Sequence, residues 1–127
     1  MTAERRKILL VDDSQLTLLL EAETLTESGY DVRTAATVQQ VHLVLDAWAP
    51  DIILTDVKMP DMDGAELCRV IKSQVTRLVP IILFSDLGDT ELAELARRCG
   101  ADGYLSKSHG LDSLANQVEE LCESIVW

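Results

Sequence analysis

Ile52-Ile53-Leu54-Thr55-Asp56 runs into Val57-Lys58-Met59-Pro60-Asp61-Met62-Asp63-Gly64, and the reading of this stretch decides the fold. An apolar run without a solvated face ends on a carboxylate, then breaks into a loop marked by Pro60 and Gly64. The run reads as a strand buried on both faces, and the loop as its C-terminal exit. In an open parallel α/β sheet, ligands bind beyond that edge. A charged residue at that edge is placed for chemistry more than for packing, which makes Asp56 the first candidate site residue.

Working outward, Lys7 to Val11 is a second apolar run and ends on Asp12-Asp13. Ser14 caps a helix expected to reach about Ser28, with Leu16 and Leu20 in its buried stripe and Leu18, Ala22 and Leu25 beside them. Leu19 completes three consecutive leucines, so at least one of them is expected to face solvent. Gly29 stops this helix in a left-handed conformation, and Tyr30 to Thr34 forms a short strand. Thr37 starts a second helix, with Val38, Val41 and Leu45 inward, and Pro50 closes it.

Downstream of the central stretch, a third helix covers Ala65 to Gln74, with Leu67, Val70 and Ile71 inward. Val79 to Phe84 is a strand ending on Ser85, and Thr90 to Cys99 is a helix stopped by Gly100. Gly103 to Ser106 is a last short strand ending on Lys107. Leu111 to Ile125 is the final helix, with Leu111, Leu114, Val118, Leu121 and Ile125 as its stripe. Short apolar strands alternating with amphipathic helices predict an α/β three-layer sandwich, a flavodoxin-like (βα)5 domain with strand order 2-1-3-4-5. The competing doubly wound fold needs a sixth strand and a glycine fingerprint, and the sequence has neither.

The 127 residues make one domain, 1–127, and 47% apolar against 26% charged residues makes it globular. A net charge of −11 argues against non-specific contact with nucleic acid or anionic membranes. Cys68, Cys99 and Cys122 have no CxxC spacing and read as buried free thiols of a reducing cytoplasm. No apolar run reaches membrane-spanning length, and the N-terminus has no signal-peptide core.

In the predicted order, strands 1, 3, 4 and 5 each end on a polar group: Asp12-Asp13, Asp56, Ser85 and Lys107. Neighbouring strands lie about 4.8 Å apart, so these groups reach one small ligand. Three such carboxylates stay ionised together only with a cation, and oxygen donors without His or Cys favour Mg²⁺ (or Mn²⁺). A metal, a free carboxylate, a hydroxyl and an ammonium form a phosphoryl-transfer site. Singly, each member has a plain structural reading. Asp12-Asp13 could cap a helix, Ser85 could sit in a turn, and Lys107 could be a solvated charge. Asp61 and Asp63 faintly suggest a calcium loop, but the EF-hand spacing and its terminal Glu are missing, so both read as loop residues.

Over nearly its whole length the chain resembles the receiver domain of two-component response regulators. The resemblance rests on Ile8-Leu9-Leu10-Val11-Asp12-Asp13-Ser14, Gly29-Tyr30, Asp51 to Asp56 with Met59-Pro60 and Asp63-Gly64, Pro80-Ile81-Ile82 to Ser85, Gly100-Ala101-Asp102, and Tyr104-Leu105-Ser106-Lys107. It implies that Asp56 takes the phosphoryl group from the phosphohistidine of a sensor kinase or phosphotransfer protein. Asp13 and Asp56 would bind Mg²⁺ directly, Asp12 through water, and the Lys58 backbone carbonyl would add a ligand. Lys107 would pair with phosphoryl oxygens, Ser85 would move to bond them, and Tyr104 would be the aromatic switch residue. The same Tyr104 reads more plainly as an ordinary aromatic on an edge strand. The resemblance further implies a cytoplasmic switch that catalyses its own phosphoryl transfer and hydrolysis and is not a conventional enzyme. Its output face would be helix 4, strand 5 and helix 5, facing a downstream output protein, with a homodimer left open.

Three departures stand out. Ser108 follows Lys107 where the family usually has Pro after a cis bond; a cis bond before a non-proline costs ~3 kcal/mol, so a trans bond and a shifted Lys107 loop are expected. Asp86 replaces a small residue beside Ser85, which predicts slow phosphorylation through repulsion of the donor, or an added cation ligand. Lys58 lies two residues past the acceptor, where family side chains tune phosphoryl loss, and could pair instead with Asp86 or Asp61. With one helix after Lys107, the chain acts through another protein or is a piece of a longer one. The alternative function is a pseudo-receiver, a phosphorylation-independent interaction module. An aspartyl phosphatase ranks lower, because its second Asp would lie two residues on rather than adjacent.

Overall fold

The computed structural model describes residues 6–57, 64–74 and 79–124. Five strands, β1 (Lys7–Val11), β2 (Asp31–Ala35), β3 (Ile52–Thr55), β4 (Ile81–Ser85) and β5 (Gly103–Ser106), form one parallel sheet in the order β2-β1-β3-β4-β5. Between and after them lie α1 (Gln15–Glu27), α2 (Val38–Ala47), α3 (Gly64–Gln74), α4 (Asp89–Cys99) and α5 (Leu114–Ser124). This is the flavodoxin-like sandwich expected from the alternating pattern.

The sheet divides the core in two because successive side chains of a strand point to opposite faces. On one side Leu9, Val11, Ile53, Ile81 and Leu83 pack with α2, α3 and α4. On the other, Ile8, Leu10, Ile52, Leu54, Ile82 and Phe84 pack with α1 and α5. Both faces of β3 are fully covered, which is why its sequence shows no alternation.

The helix ends follow their capping chemistry. The Ser14 hydroxyl accepts the Thr17 N–H at 3.2 Å, and the Thr37 hydroxyl accepts the Gln40 N–H at 3.1 Å. Gly100 takes φ +73° and lets the Ala101 N–H return to the Ala96 carbonyl at 2.9 Å.

Two helix phases differ from expectation. In α1 the buried positions are Leu18, Glu21 and Leu25, while Leu16 is 67% exposed and Leu19 and Leu20 also face solvent. Three successive leucines leave the phase of the stripe undetermined, and packing against β1 and α5 selects Leu18. The last helix begins at Leu114, not Leu111. Leu111–Ser113 forms a 3₁₀ turn and Leu111 is exposed, while Ile125 lies outside the described residues. There the Ser113 hydroxyl donates to the His109 and Gly110 carbonyls, holding the tighter turn.

Candidate functional site

The C-terminal rim of the sheet gathers what its strand ends carry. Val11 pairs with Thr55 across β1 and β3, so Asp12 and Asp56 leave the sheet side by side. The Asp56 N–H donates to the Val11 carbonyl at 2.8 Å, extending that ladder by one step. Carboxylate oxygens of Asp12, Asp13 and Asp56 lie within 4.8 Å of one another. Asp12 is buried, Asp56 half-buried and Asp13 exposed, so the cluster opens to solvent on one side.

The acids are fixed from below. One Asp12 carboxylate oxygen accepts the Ser14 N–H at 2.9 Å, and Asp56 accepts the Val57 N–H at 2.6 Å. Asp51 and Asp102 have the opposite fate. At the other rim, they accept the backbone N–H groups of Lys7 and Ile81, each at 2.9 Å. Position at the sheet edge, more than residue type, separates structural acids from site acids here.

Lys107 opens a 3₁₀ turn, Lys107–His109, directly after β5. Its ammonium donates to the Asp12 carboxylate, lies 3.5 Å from Glu21 and sits 5.0 Å from the centre of the Phe84 ring. Burial alone would lower the Lys107 pKa. The hydrogen bond to Asp12 and the charges of Glu21, Asp12 and Asp56 outweigh it and hold the group above its usual value. Glu21 is 4% exposed, and burial pushes its carboxyl up to about 7 against the pull of Lys107, with Asp12 and Asp56 adding to the push.

Ser85 is buried at the tip of β4, its hydroxyl accepting the Leu87 N–H at 3.4 Å. Tyr104 is half-buried against the apolar cluster under α4. Ser85 pairs with Ser106 and Leu83 with Tyr104, which puts Ser85 and Tyr104 one pleat apart on one face. Asp86 is exposed. Lys58 lies outside the described residues, as do Asp61 and Asp63.

The Lys107–Ser108 bond is trans, since the described residues contain no cis peptide bond. Ser108 donates its N–H to the Ser106 hydroxyl at 3.2 Å, a bond that proline cannot make. Ser106 in turn donates to the Leu87 carbonyl at 2.8 Å, so the Lys107 turn is tied to the loop after β4.

Glu21 is the site residue that motif reading does not find, because it lies in the middle of a helix and outside every strand end. Its signal is the spacing: Leu18, Glu21 and Leu25 lie three and four residues apart, a buried stripe interrupted by an acid.

A parallel sheet of this order with acids and a lysine at its switch-point rim defines a signalling receiver. The chain belongs to the response regulator receiver domain family, whose pattern covers residues 8–119. It is 34% identical over 121 residues to the gliding motility regulatory protein of Myxococcus xanthus, covering 94% of this chain and 16% of that protein. It is 33% identical over 115 residues to the transcriptional regulatory protein PdtaR of Mycobacterium tuberculosis, covering 90% of this chain and 55% of that protein. The chain thus spans little more than half, or less, of these relatives' length. Among solved structures, the chemotaxis response regulator CheY4 of Vibrio cholerae superposes with a TM-score of 0.79 at 28% identity, covering 93% of this chain and 99% of that one. No helix among the described residues is long and apolar enough to cross a membrane.

Proposed function

We propose that residues 1–127 form a single receiver domain that acts as a phosphorylation-controlled switch in a two-component phosphorelay. The observation that carries this reading is the meeting of Asp12, Asp13 and Asp56 within 4.8 Å, with the Lys107 ammonium against them. In the proposed reaction an Asp56 carboxylate oxygen attacks the phosphorus of a phosphohistidine in a sensor kinase or phosphotransfer protein. The P–N bond breaks, a P–O bond forms, and the product is an acyl phosphate.

The three clustered carboxylates are hard oxygen donors of the kind Mg²⁺ or Mn²⁺ takes, and they fit such an ion. Asp12, Asp13 and Asp56 would hold it with the Lys58 carbonyl, and it would supply positive charge to the transferring oxygens. Lys107 contributes charge from the β5 side. The Ser85 hydroxyl, which accepts one long hydrogen bond here, turns its proton toward a phosphoryl oxygen. Tyr104, on the same face, follows that movement into the space it leaves. Phosphorylation then shifts a pre-existing equilibrium on the α4-β5-α5 face, where a downstream output protein or a second copy docks. The compartment is the cytoplasm.

The test is incubation with a small acyl phosphate donor and Mg²⁺, followed by intact mass. Wild type is expected to gain one phosphoryl group and Asp56→Asn none; equal gain in both sinks the assignment. The same assay reads the departure at Asp86. An exposed carboxylate one residue past Ser85 repels an anionic donor, so Asp86→Ala should phosphorylate about two- to fivefold faster at low salt. A rate unchanged by the substitution removes Asp86 from the account.

A further inference from the structure

The receiver reading leaves one strongly placed group unused. Glu21 is a carboxylate buried on the inner face of α1, 4% exposed, at a position otherwise belonging to the apolar stripe of Leu18 and Leu25. Lys107 is its only ion-pair partner among the described residues, at 3.5 Å. Glu21 is not part of the Asp12-Asp13-Asp56 cluster.

We infer that Glu21 is a positioning residue that holds the Lys107 ammonium back from the phosphoryl group, and so acts as a brake on phosphorylation. The inference rests on the phosphoacceptor reading of Asp56 and deepens it. The Lys107 ammonium bridges two acids, Asp12 in the cluster and Glu21 in the helix. With Asp12 engaged by a divalent cation at the cluster, Glu21 would remain as the partner of the Lys107 ammonium. A phosphoryl group on Asp56 must then draw Lys107 off Glu21.

That move leaves a largely buried carboxylate without its cation, and breaking a buried pair from one side is costly. The cost falls only on the phosphorylated arrangement, so it lowers phosphoryl affinity without weakening the resting fold. A cavity of about 200 Å³ lined by Thr17, Leu20, Glu21, Phe84, Lys107 and Leu114 adjoins the pair.

The experiment is a double-mutant cycle read by beryllofluoride, a phosphate analogue, titrated at saturating Mg²⁺ into wild type, Glu21→Gln, Lys107→Ala and the double variant. Glu21→Gln keeps the side-chain shape and is expected to bind the analogue about five- to tenfold more tightly, the range set by one partly buried pair. In the Lys107→Ala background the same substitution should change nothing. Binding that is unchanged or weaker in Glu21→Gln overturns the inference, as does an equal gain without Lys107. A merely structural glutamate would alter the melting midpoint in both backgrounds alike. Glu21→Leu supplies a second variant if the amide packs poorly.

A separate readout covers the case in which no variant takes beryllofluoride and wild type gains no phosphate mass. That result ends the phosphoacceptor reading. The Lys107 ammonium ¹⁵N signal of the ligand-free protein then decides the pairing by itself: Glu21→Gln should move it, and an unmoved signal refutes the role of Glu21.

Discussion

Lys107→Ala is expected to lose about 3 kcal/mol of folding free energy near pH 8 without Mg²⁺, the usual cost of removing one partner from a buried ion pair. Two acids lose their cation together, since Lys107 serves both Asp12 and Glu21. Near pH 5.5 the loss should be roughly halved, because Glu21 can then take up a proton in the fold. The direction follows from Glu21, whose carboxyl is raised from 4.5 to about 7 in the folded chain. Between those values the native state binds more protons than the unfolded state at this residue. Its contribution to stability therefore falls as pH rises through that window and stays low above it. Removing Lys107 raises the Glu21 pKa further and extends the penalty upward in pH. Urea unfolding at the two pH values measures this. A loss that is the same at both would show that Glu21 is not the group left stranded. Saturating Mg²⁺ should restore part of the stability by neutralising Asp12, but not the part due to Glu21.

Ile53→Ala carries the other large effect, a loss of about 4 kcal/mol, as for other large apolar side chains removed from rigid cores. Ile53 is fully buried in β3, between β1 and β4, and packs under α2 and α3. The strand is bonded on both sides, so the backbone cannot collapse into the cavity. The consequence reaches the site, because Asp56 is held by the same ladder through its N–H to the Val11 carbonyl. Thermal or urea unfolding checks the stability loss, and one below about 1.5 kcal/mol would mean that the helices close the gap. Leu19→Ala, at an exposed position of α1, is the control and should stay within ~0.5 kcal/mol.

Much of the site is legible in the chain because each strand announces its end. Runs such as Ile8 to Val11 and Ile52 to Thr55 admit no solvated face, so the first polar residue after each marks a position on the rim. Strand order then places Asp12, Asp13, Asp56, Ser85 and Lys107 along the same edge, where the structure has them. The helices are less legible. The phase of α1 is ambiguous over Leu18-Leu19-Leu20, and the 3₁₀ turn before α5 has no periodic signal.

The sequence by itself determined the layered α/β architecture, the strand order and the group of residues at one rim. These follow from local hydrophobic runs and from crossover handedness, which depend little on side-chain detail. Only the tertiary structure decided what Lys107 holds in the resting protein. An ammonium on a long side chain chooses its partner by distance and burial, and Glu21 comes within reach only when α1 packs against the sheet beside Phe84 and Leu114. No spacing in the chain connects positions 21 and 107; the connection is made by the fold.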